Sequence, residues 1–299
     1  MGYEIKFYSE DYLPKHVEIG ESVYKYWKGG AQSSVFQLKK AYADIDPETK
    51  YYAFQGDRLV GFQTASILDM KESEPLTARL EFPFVEEGHE AAKDELFDFA
   101  VKTLKGKGVQ LLRSRAGLDW GDTLKMAETR GYRHASTLTM AATVNTKDFD
   151  LAKLASHEDV LEFNYERDID ALGKAFVKAF NLDSVDEIEG LLNQMKTLRD
   201  DYFYVSHKIV KDGGEIVGRL LFYSRNEEKY ALTGSVVVLG DNADEIEEKM
   251  LAAGIRDCLR DGIESFQLTF NAKRKDKLEK YEKLGLEFYD SVSYWERKI

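Results

Sequence analysis

The chain has 299 residues, 32% of them charged, and a formal net charge of −12 at pH 7. This acidity argues against broad binding to nucleic acids or anionic membranes, which requires a positive field, and is compatible with a cationic partner such as an amine. A single cysteine, Cys258, excludes an internal disulfide framework, and no apolar run reaches the roughly 20 residues of a membrane span.

The first half of the chain is predicted to contain helices, then strands, then helices and strands in alternation. Hydrophobic periodicity and turn residues define these elements. They are helices over 13–26 and 33–43, a β-hairpin over 51–65 that turns at Gly56-Asp57, a strand over 78–85, a helix over 90–104, a strand over 109–113, a helix over 122–129 and a strand over 137–144.

The second half repeats this order. Its elements are helices over 169–180 and 185–198, a hairpin over 202–222, a strand over 235–239, a helix over 245–259, a strand over 266–270, a helix over 275–283 and a strand over 291–297. Gly108 and Gly262 are 154 residues apart, and so are Gly131 and Gly285. This register predicts two copies of one α/β domain, of mixed α+β type, over residues 1–148 and 149–299.

A segment near the end of the chain carries a family resemblance. Asn271 is followed by 278–286, Leu-Glu-Lys-Tyr-Glu-Lys-Leu-Gly-Leu. Together with the order of elements, this resembles the Asn…Leu-Tyr-Glu-Lys-Leu-Gly-Phe signature of the GNAT N-acetyltransferases. The resemblance covers essentially the whole chain, as a tandem arrangement similar to that of mycothiol synthase-like proteins. It implies two acyl-CoA N-acyltransferase domains, each a mostly antiparallel sheet flanked by helices.

The resemblance also implies where acetyl-CoA would bind. In that family a helix N-terminus after the fourth strand holds the pyrophosphate, because its unpaired N–H groups face the anion. The residues implied to bind acetyl-CoA are Phe84, Val85, Gly88, His89 and Ala91 in the first copy, and Val237, Val238, Leu239 and Asn271 in the second. Acidic residues surround both loops, and the alternative is that they stabilise a helix start that binds no ligand.

Two catalytic candidates follow from the same resemblance. A carboxylate on the fourth strand serves as base, and Glu81 holds that place in the first copy, where the second copy is expected to have Ser235. A tyrosine on the last helix serves as acid, and Tyr281 holds that place, matched by Ala127 in the first copy. The alternatives are that Glu81 lies on the polar face of a strand and that Tyr281 packs its ring against the sheet.

The implied function is transfer of an acetyl or short acyl group from acetyl-CoA to an amine of a small molecule or peptide. The alternative is a catalytically inactive GNAT-fold protein that binds a ligand or has a structural role. The five histidines fall in no metal-ligand spacing, so we expect no metal. The chain starts without an apolar signal segment, so we expect a cytoplasmic location. Cys258 lies on the apolar face of its helix, which favours a small buried hydrophobe.

Overall fold

A computed structural model describes residues 2–27, 32–68, 74–150, 152, 158–189, 192, 195, 202–225, 229–234, 236–273, 275–283 and 285–299. The chain forms two compact units. Unit 1 comprises residues 1–140, 271–273 and 290–299, and unit 2 comprises 141–270 and 274–289. The predicted division at 148/149 follows the repeat, whereas the units divide at 140/141 and the end of the chain belongs to unit 1.

Unit 1 contains most elements of the first repeat. In chain order these are β1 (Glu4–Phe7), a 3-10 helix (Glu10–Tyr12), α1 (Leu13–Tyr24), α2 (Val35–Ala41), a 3-10 helix (Pro47–Thr49), β2 (Lys50–Gln55), β3 (Arg58–Ile67), β4 (Thr77–Leu80), β5 (Phe84–Val85), α3 (Ala92–Gly106), β6 (Leu111–Gly117), α4 (Thr123–Thr129) and the first part of β7 (Arg133–Asn145).

The described elements of the second repeat follow the order of the first, without a described counterpart of α2. They are β8 (Leu161–Glu162), α5 (Tyr165–Phe180), a 3-10 helix (Val185–Ile188), β9 (Tyr202–Asp212), β10 (Glu215–Arg225), β11 (Tyr230–Thr233), β12 (Val237–Val238), α6 (Ala243–Arg260), β13 (Ser265–Asn271), α7 (Lys275–Lys283) and β14 (Tyr289–Lys298). Most of the helix predicted over 185–198 lies outside the described residues.

Each unit has a mostly antiparallel sheet, as predicted. In unit 1 the strand order is β1-β2-β3-β4-β6-β14-β7, with β4 and β6 parallel and β14 antiparallel to β6. In unit 2 the order from β13 is β13-β11-β10-β9-β8, with β11 and β13 parallel. The strand beside β6 in unit 1 is therefore the last strand of the chain, from the second repeat.

The two faces of the unit 1 sheet are covered by different helices. Alternate residues of a strand point to opposite faces. Tyr51 and Ala53 accordingly pack into a core that contains Leu96 and Leu104 of α3, whereas Tyr52 and Phe54 pack into a core with Ile19 of α1. Every residue of β2 except its last is buried for this reason.

In each repeat a glycine in the second strand of the hairpin lets a helix pack close to the sheet. A Cβ at Gly61 would lie 3.4 Å from a methyl of Leu96 in α3, and a Cβ at Gly218 would lie 2.5 Å from a methyl of Ile246 in α6. Gly61 pairs with Val85 and Gly218 with Val238, so the two hairpins have the same register. The predicted duplication is therefore present in the packing as well as in the order of elements.

Two predicted strands differ from the observed ones. The strand predicted over 78–85 is interrupted at residues 81–83, and Pro83 in that break has no N–H to donate to a ladder. In place of the strand predicted over 235–239, β11 ends at Thr233 and β12 covers Val237–Val238. The edge strands β1 and β8 were not predicted, because they are short and lack clear alternation.

Cys258 is buried, as predicted, in the core under α6. Burial raises the pKa of its thiol to about 12, so the thiol stays protonated. Among the described helices, none is both long and apolar enough to cross a membrane.

Candidate functional site

In unit 1 a gap opens between two parallel strands. β4 pairs with β6 at residues 77–79, opposite Leu111–Arg113. After Leu80 the chain leaves that ladder, and Phe84 and Val85 pair with β3 instead. The strands therefore separate at residues 81–83, where the Glu81 side chain bonds to Arg115 of β6 and Phe82 packs into the core against Tyr132.

Glu81 lies at the start of this gap. Its N–H donates to the carbonyl oxygen of Thr64 at 2.9 Å, which keeps its backbone in line with β3. Its carboxylate accepts two hydrogen bonds from the Arg115 guanidinium, at 2.7 Å from Nη2 and 3.1 Å from Nε. The Glu81 side chain is 26% exposed, so the oriented carboxylate is not sealed off from solvent.

Arg115 was missed by the sequence analysis, which ended its strand at residue 113. It belongs to β6 and reaches across the gap to Glu81. Burial lowers the pKa of its guanidinium, but the neighbouring Glu81 carboxylate outweighs this and leaves the pKa above its ordinary value. The sequence contained a signal for Arg115, because it lies two residues after Arg113 and so continues the alternation of polar and apolar residues along the same strand.

Aromatic rings line one side of the gap. Trp27 stacks on Trp120 at 5.6 Å between ring centroids, and Tyr24 and Trp27 both contact the edge of Phe84 at about the same separation, 5.0 and 5.1 Å. The Arg115 guanidinium lies 5.5 Å from the centre of the Trp120 ring. Burial, with a smaller contribution from Glu81, raises the pKa of Tyr24 to about 12. The wall is therefore apolar apart from the Glu81–Arg115 pair.

The loop before α3 already holds an anion of its own. Gly88 has φ +85, a left-handed conformation that glycine adopts without strain, and its N–H donates to the Glu90 carboxylate at 3.1 Å. Bonds from the N–H groups of Glu90 and Gly88 lower the pKa of that carboxylate. Ala91, the residue before α3, provides no side-chain cap. Donors of this loop therefore face a negative group.

Two other residues of this loop, Glu86 and His89, have partners that fix the loop to its unit. Glu86 forms ion pairs with Lys15 and Arg58, each at 2.6 Å. Burial raises the pKa of Glu86, but these two cations outweigh it and leave the pKa lowered. His89 shares a hydrogen bond of 3.2 Å with the hydroxyl of Tyr3, which is typical of a positioned loop residue.

Unit 2 has the same gap with different side chains. β11 pairs with β13 over Tyr230–Leu232, while Val237 and Val238 pair with β10. The N–H of Gly234 donates to the carbonyl oxygen of Leu221, as that of Glu81 does to Thr64. The match of Glu81 with Ser235 was therefore wrong by one residue, because Gly234 takes that place; Ser235 lies outside the described residues.

Tyr281 is a buried member of a polar network in unit 2. Its hydroxyl donates to the Glu247 carboxylate at 3.2 Å, and its ring stacks on Phe270 at 5.0 Å between centroids. Lys277 forms an ion pair with the same carboxylate. Burial raises the pKa of Tyr281 well above its ordinary range, with Glu248 and Asp244 acting in the same direction. The tyrosine therefore stays protonated and is 2% exposed.

Several acidic residues in the first turns of α6 are paired with lysines of unit 2. Glu248 pairs with Lys280 of α7 and Glu245 with Lys249, each at 2.9 Å. Asn242, before the helix, makes no side-chain cap. Gly240 has φ +86, close to the value of Gly88, so both repeats turn in the same way two or three residues after the strand.

The implied site residues are divided between the units. Glu81, Phe84, Val85, Gly88, His89 and Ala91 lie in unit 1, and Val237, Val238, Leu239 and Tyr281 lie in unit 2. Asn271 belongs to unit 1, where its side-chain oxygen accepts the N–H of Lys273 at 2.9 Å. In the described part of the chain, no group of three or more His, Cys, Asp or Glu side chains is placed to hold a metal ion.

Comparison with solved structures gives likenesses along the whole chain. A tandem GNAT protein from the clavulanic acid biosynthesis pathway is 14% identical, with a TM-score of 0.56 over 99% of this chain and 98% of that one. A conserved protein of unknown function from Enterococcus faecalis, a probable N-acyltransferase, is 9% identical, with a TM-score of 0.57 over 100% of this chain and 73% of that one. A GCN5-related N-acetyltransferase from Sphaerobacter thermophilus is 14% identical, with a TM-score of 0.50 over 99% and 95%.

No protein-family model matches the sequence, and comparison with curated proteins gives no match. At these identities the likeness concerns the fold. The chain therefore has the GNAT fold in two tandem copies, as the resemblance in its sequence implied.

Proposed function

We propose that this tandem GNAT protein transfers an acetyl or short acyl group from acetyl-CoA to an amine of a small molecule or peptide. The observation that carries the proposal is the gap in unit 1, where parallel strands separate beside the start of α3 and an oriented carboxylate, Glu81, lies at the opening. Solved structures with this fold are described as N-acetyltransferases and a probable N-acyltransferase.

The loop before α3 fits the phosphates of CoA. The N–H of Gly88 binds a carboxylate, so the loop accepts an anion, and the missing side-chain cap at Ala91 leaves room at the helix start. A phosphate would have to displace the Glu90 carboxylate from these donors. When bound, acetyl-CoA would supply the acetyl thioester.

Glu81 is the group of unit 1 that fits proton acceptance. An ammonium must lose a proton to become nucleophilic, and a carboxylate at the opening can take it directly or through water. The two hydrogen bonds from Arg115 fix the direction of the carboxylate, and the aromatic wall of Tyr24, Trp27, Phe84 and Trp120 limits the water around it.

Tyr281 is the group of unit 2 that fits proton donation. Its raised pKa keeps the hydroxyl protonated, which a donor to a departing thiolate requires. The same hydroxyl binds Glu247, so donation would require this hydrogen bond to exchange. Unit 1 has the buried Ala127 in this place and unit 2 has Gly234 in place of Glu81, so each unit carries one of the two candidate groups.

A second candidate function is a GNAT fold that binds a ligand without catalysis. The pairing of the carboxylates at both helix starts favours it, because Glu90 bonds to its own loop and Glu247 and Glu248 bind lysines of α7. A helix start whose charges are balanced within the protein needs no phosphate for stability.

Isothermal titration calorimetry of the full chain with CoA distinguishes these functions. We expect one or two sites, and a matched pair of variants assigns them: Ala91→Glu adds a carboxylate at the helix start of unit 1, and Asn242→Glu adds one in unit 2. Each variant should abolish the site of its own unit only. Turnover of acetyl-CoA is then measured over a panel of amines; absence of both binding and turnover would end the transferase proposal.

A further inference from the structure

The unit 1 sheet carries two transverse rows of polar residues on the face covered elsewhere by α1. Side chains opposite each other on paired strands share a face, as do residues two apart on one strand. Phe62 points to the α1 face, so Thr64 and Ser66 do as well. One row is Ser66, Arg79, Arg113 and Glu296, and the other is Thr64, Glu81, Arg115 and Tyr294.

Two of the three arginines in these rows have a carboxylate partner. Arg113 pairs with Glu296 at 2.6 Å and Arg115 with Glu81 at 2.7 Å. Arg79 lies between its strand neighbours Ser66 and Arg113, and no carboxylate of the described residues lies within ion-pair distance of it. Arg79 is half-buried, so part of its hydration is lost without compensation by an anion of the described chain.

The spacing between Arg79 and Glu81 sets the distance that a ligand must span to contact both side chains. The two residues are two apart along the chain, which on an extended strand corresponds to about 7 Å between their Cα atoms. One end of this span holds a positive guanidinium and the other a negative carboxylate that is not sealed off from solvent. A molecule with a carboxylate and an amine separated by a few bonds is complementary to both ends.

We propose that the acyl acceptor is an amino acid-like molecule, with its amine at Glu81 and its carboxylate bound by Arg79. This proposal rests on the proposed transferase function. A planar guanidinium also binds phosphate, but Glu81 and Glu296 on the same face repel a dianion more strongly than a single carboxylate. Arg79 is thus a specificity-determining residue.

Steady-state kinetics with acetyl-CoA test the proposal through pairs of acceptors. Glycine, β-alanine, 4-aminobutanoate and 6-aminohexanoate are each compared with the same amine lacking the carboxylate, and phosphoethanolamine is included. The variants are Arg79→Gln, Arg79→Lys to keep the charge, and Lys125→Gln as control. Lys125 is exposed on α4, which packs on the opposite face of the sheet with Ala116.

We expect the wild type to favour at least one carboxylate-bearing acceptor over its plain amine by about tenfold in kcat/KM. Arg79→Gln should raise KM for that acceptor about tenfold, with kcat and the plain amine unaffected. Arg79→Lys should retain part of the preference, and Lys125→Gln all of it. A wild type without the preference, a preference for phosphoethanolamine, or an equal effect of Arg79→Gln on both members of a pair would overturn the proposal.

Failure of the transferase proposal gives a different result. If no acceptor is turned over, the same acceptors are titrated into the wild type and Arg79→Gln by calorimetry. Tighter binding of a carboxylate-bearing amine to the wild type would retain the assigned site without catalysis. Equal or absent binding would remove it.

Discussion

Replacement of Tyr281 by phenylalanine separates a stabilising role of this side chain from a catalytic one. The hydroxyl donates to Glu247 at 3.2 Å and the ring stacks on Phe270 at 5.0 Å, with 2% of the residue exposed. Phenylalanine keeps the ring and its stacking and removes only the O–H. The change therefore probes one hydrogen bond in a core that otherwise stays packed.

The magnitude follows from the acceptor. A hydrogen bond to a charged group contributes about 1.5–3 kcal/mol, and Glu247 keeps its ion pair with Lys277 after the substitution. We expect the free energy of unfolding to fall by about 1.5 kcal/mol, the lower end of that range. Tyr51→Phe is the matched control, because the Tyr51 hydroxyl is buried with no hydrogen-bond partner among the described residues. Its loss should leave stability unchanged or raised.

Urea unfolding of the wild type and both variants measures these differences, and acetyl-CoA turnover and CoA affinity are measured on the same samples. A fall in kcat with unchanged CoA affinity would assign proton donation to Tyr281. Unchanged turnover together with lost stability would assign it a structural role. If Tyr281→Phe is as stable as the wild type, the inferred network with Glu247 is refuted.

Three further predictions concern packing, charge and binding. Gly61→Ala should lower the free energy of unfolding by about 1–3 kcal/mol, because its Cβ would lie 2.7 Å from a Val85 methyl. Gly106→Ala, whose Cβ would have nothing within 4 Å, should raise the free energy of unfolding by about 0.5–1 kcal/mol. Equal effects of the two variants in urea titrations would contradict this prediction. Lys50→Met should stabilise the protein by about 2 kcal/mol at pH 7, because burial lowers the pKa of the Lys50 ammonium to about 8, a cost of about 3 kcal/mol that exceeds the contribution of its hydrogen bonds to Thr49 and Ala65. Between pH of about 8 and 10.5 the folded protein releases this proton while the unfolded chain retains it, so wild-type stability rises with pH. The stability difference between Lys50→Met and the wild type should therefore shrink, and a constant difference from pH 7 to 10 would contradict the prediction. Glu90→Ala should tighten CoA binding, because its carboxylate bonds to the loop donors, and an unchanged dissociation constant by calorimetry would show that it does not compete.

The sequence determined the repeat and the local elements. Hydrophobic periodicity and turn residues predict the helices and hairpins, because these signals depend on residues only a few positions apart in the chain. Gly108 and Gly262, which the repeat makes equivalent, both lie two residues after a helix end and have left-handed φ values of +83 and +74. Tyr281 and Ala127 are equivalent, because the N–H of Leu286 donates to the carbonyl oxygen of Tyr281 and the N–H of Tyr132 donates to that of Ala127. The same main-chain hydrogen bond thus closes the end of each helix. Their catalytic assignment stays a prediction.

The tertiary structure decided which strands are neighbours and which charges meet. β14 alternates in the same way whichever strand it pairs with, so its period could not show that it lies beside β6 in unit 1. Arg115 and Glu81 are 34 residues apart in the chain and meet because β4 and β6 are adjacent. Alternation fixes which face a side chain points to, whereas its partner depends on strand order, which is set by packing over the whole unit.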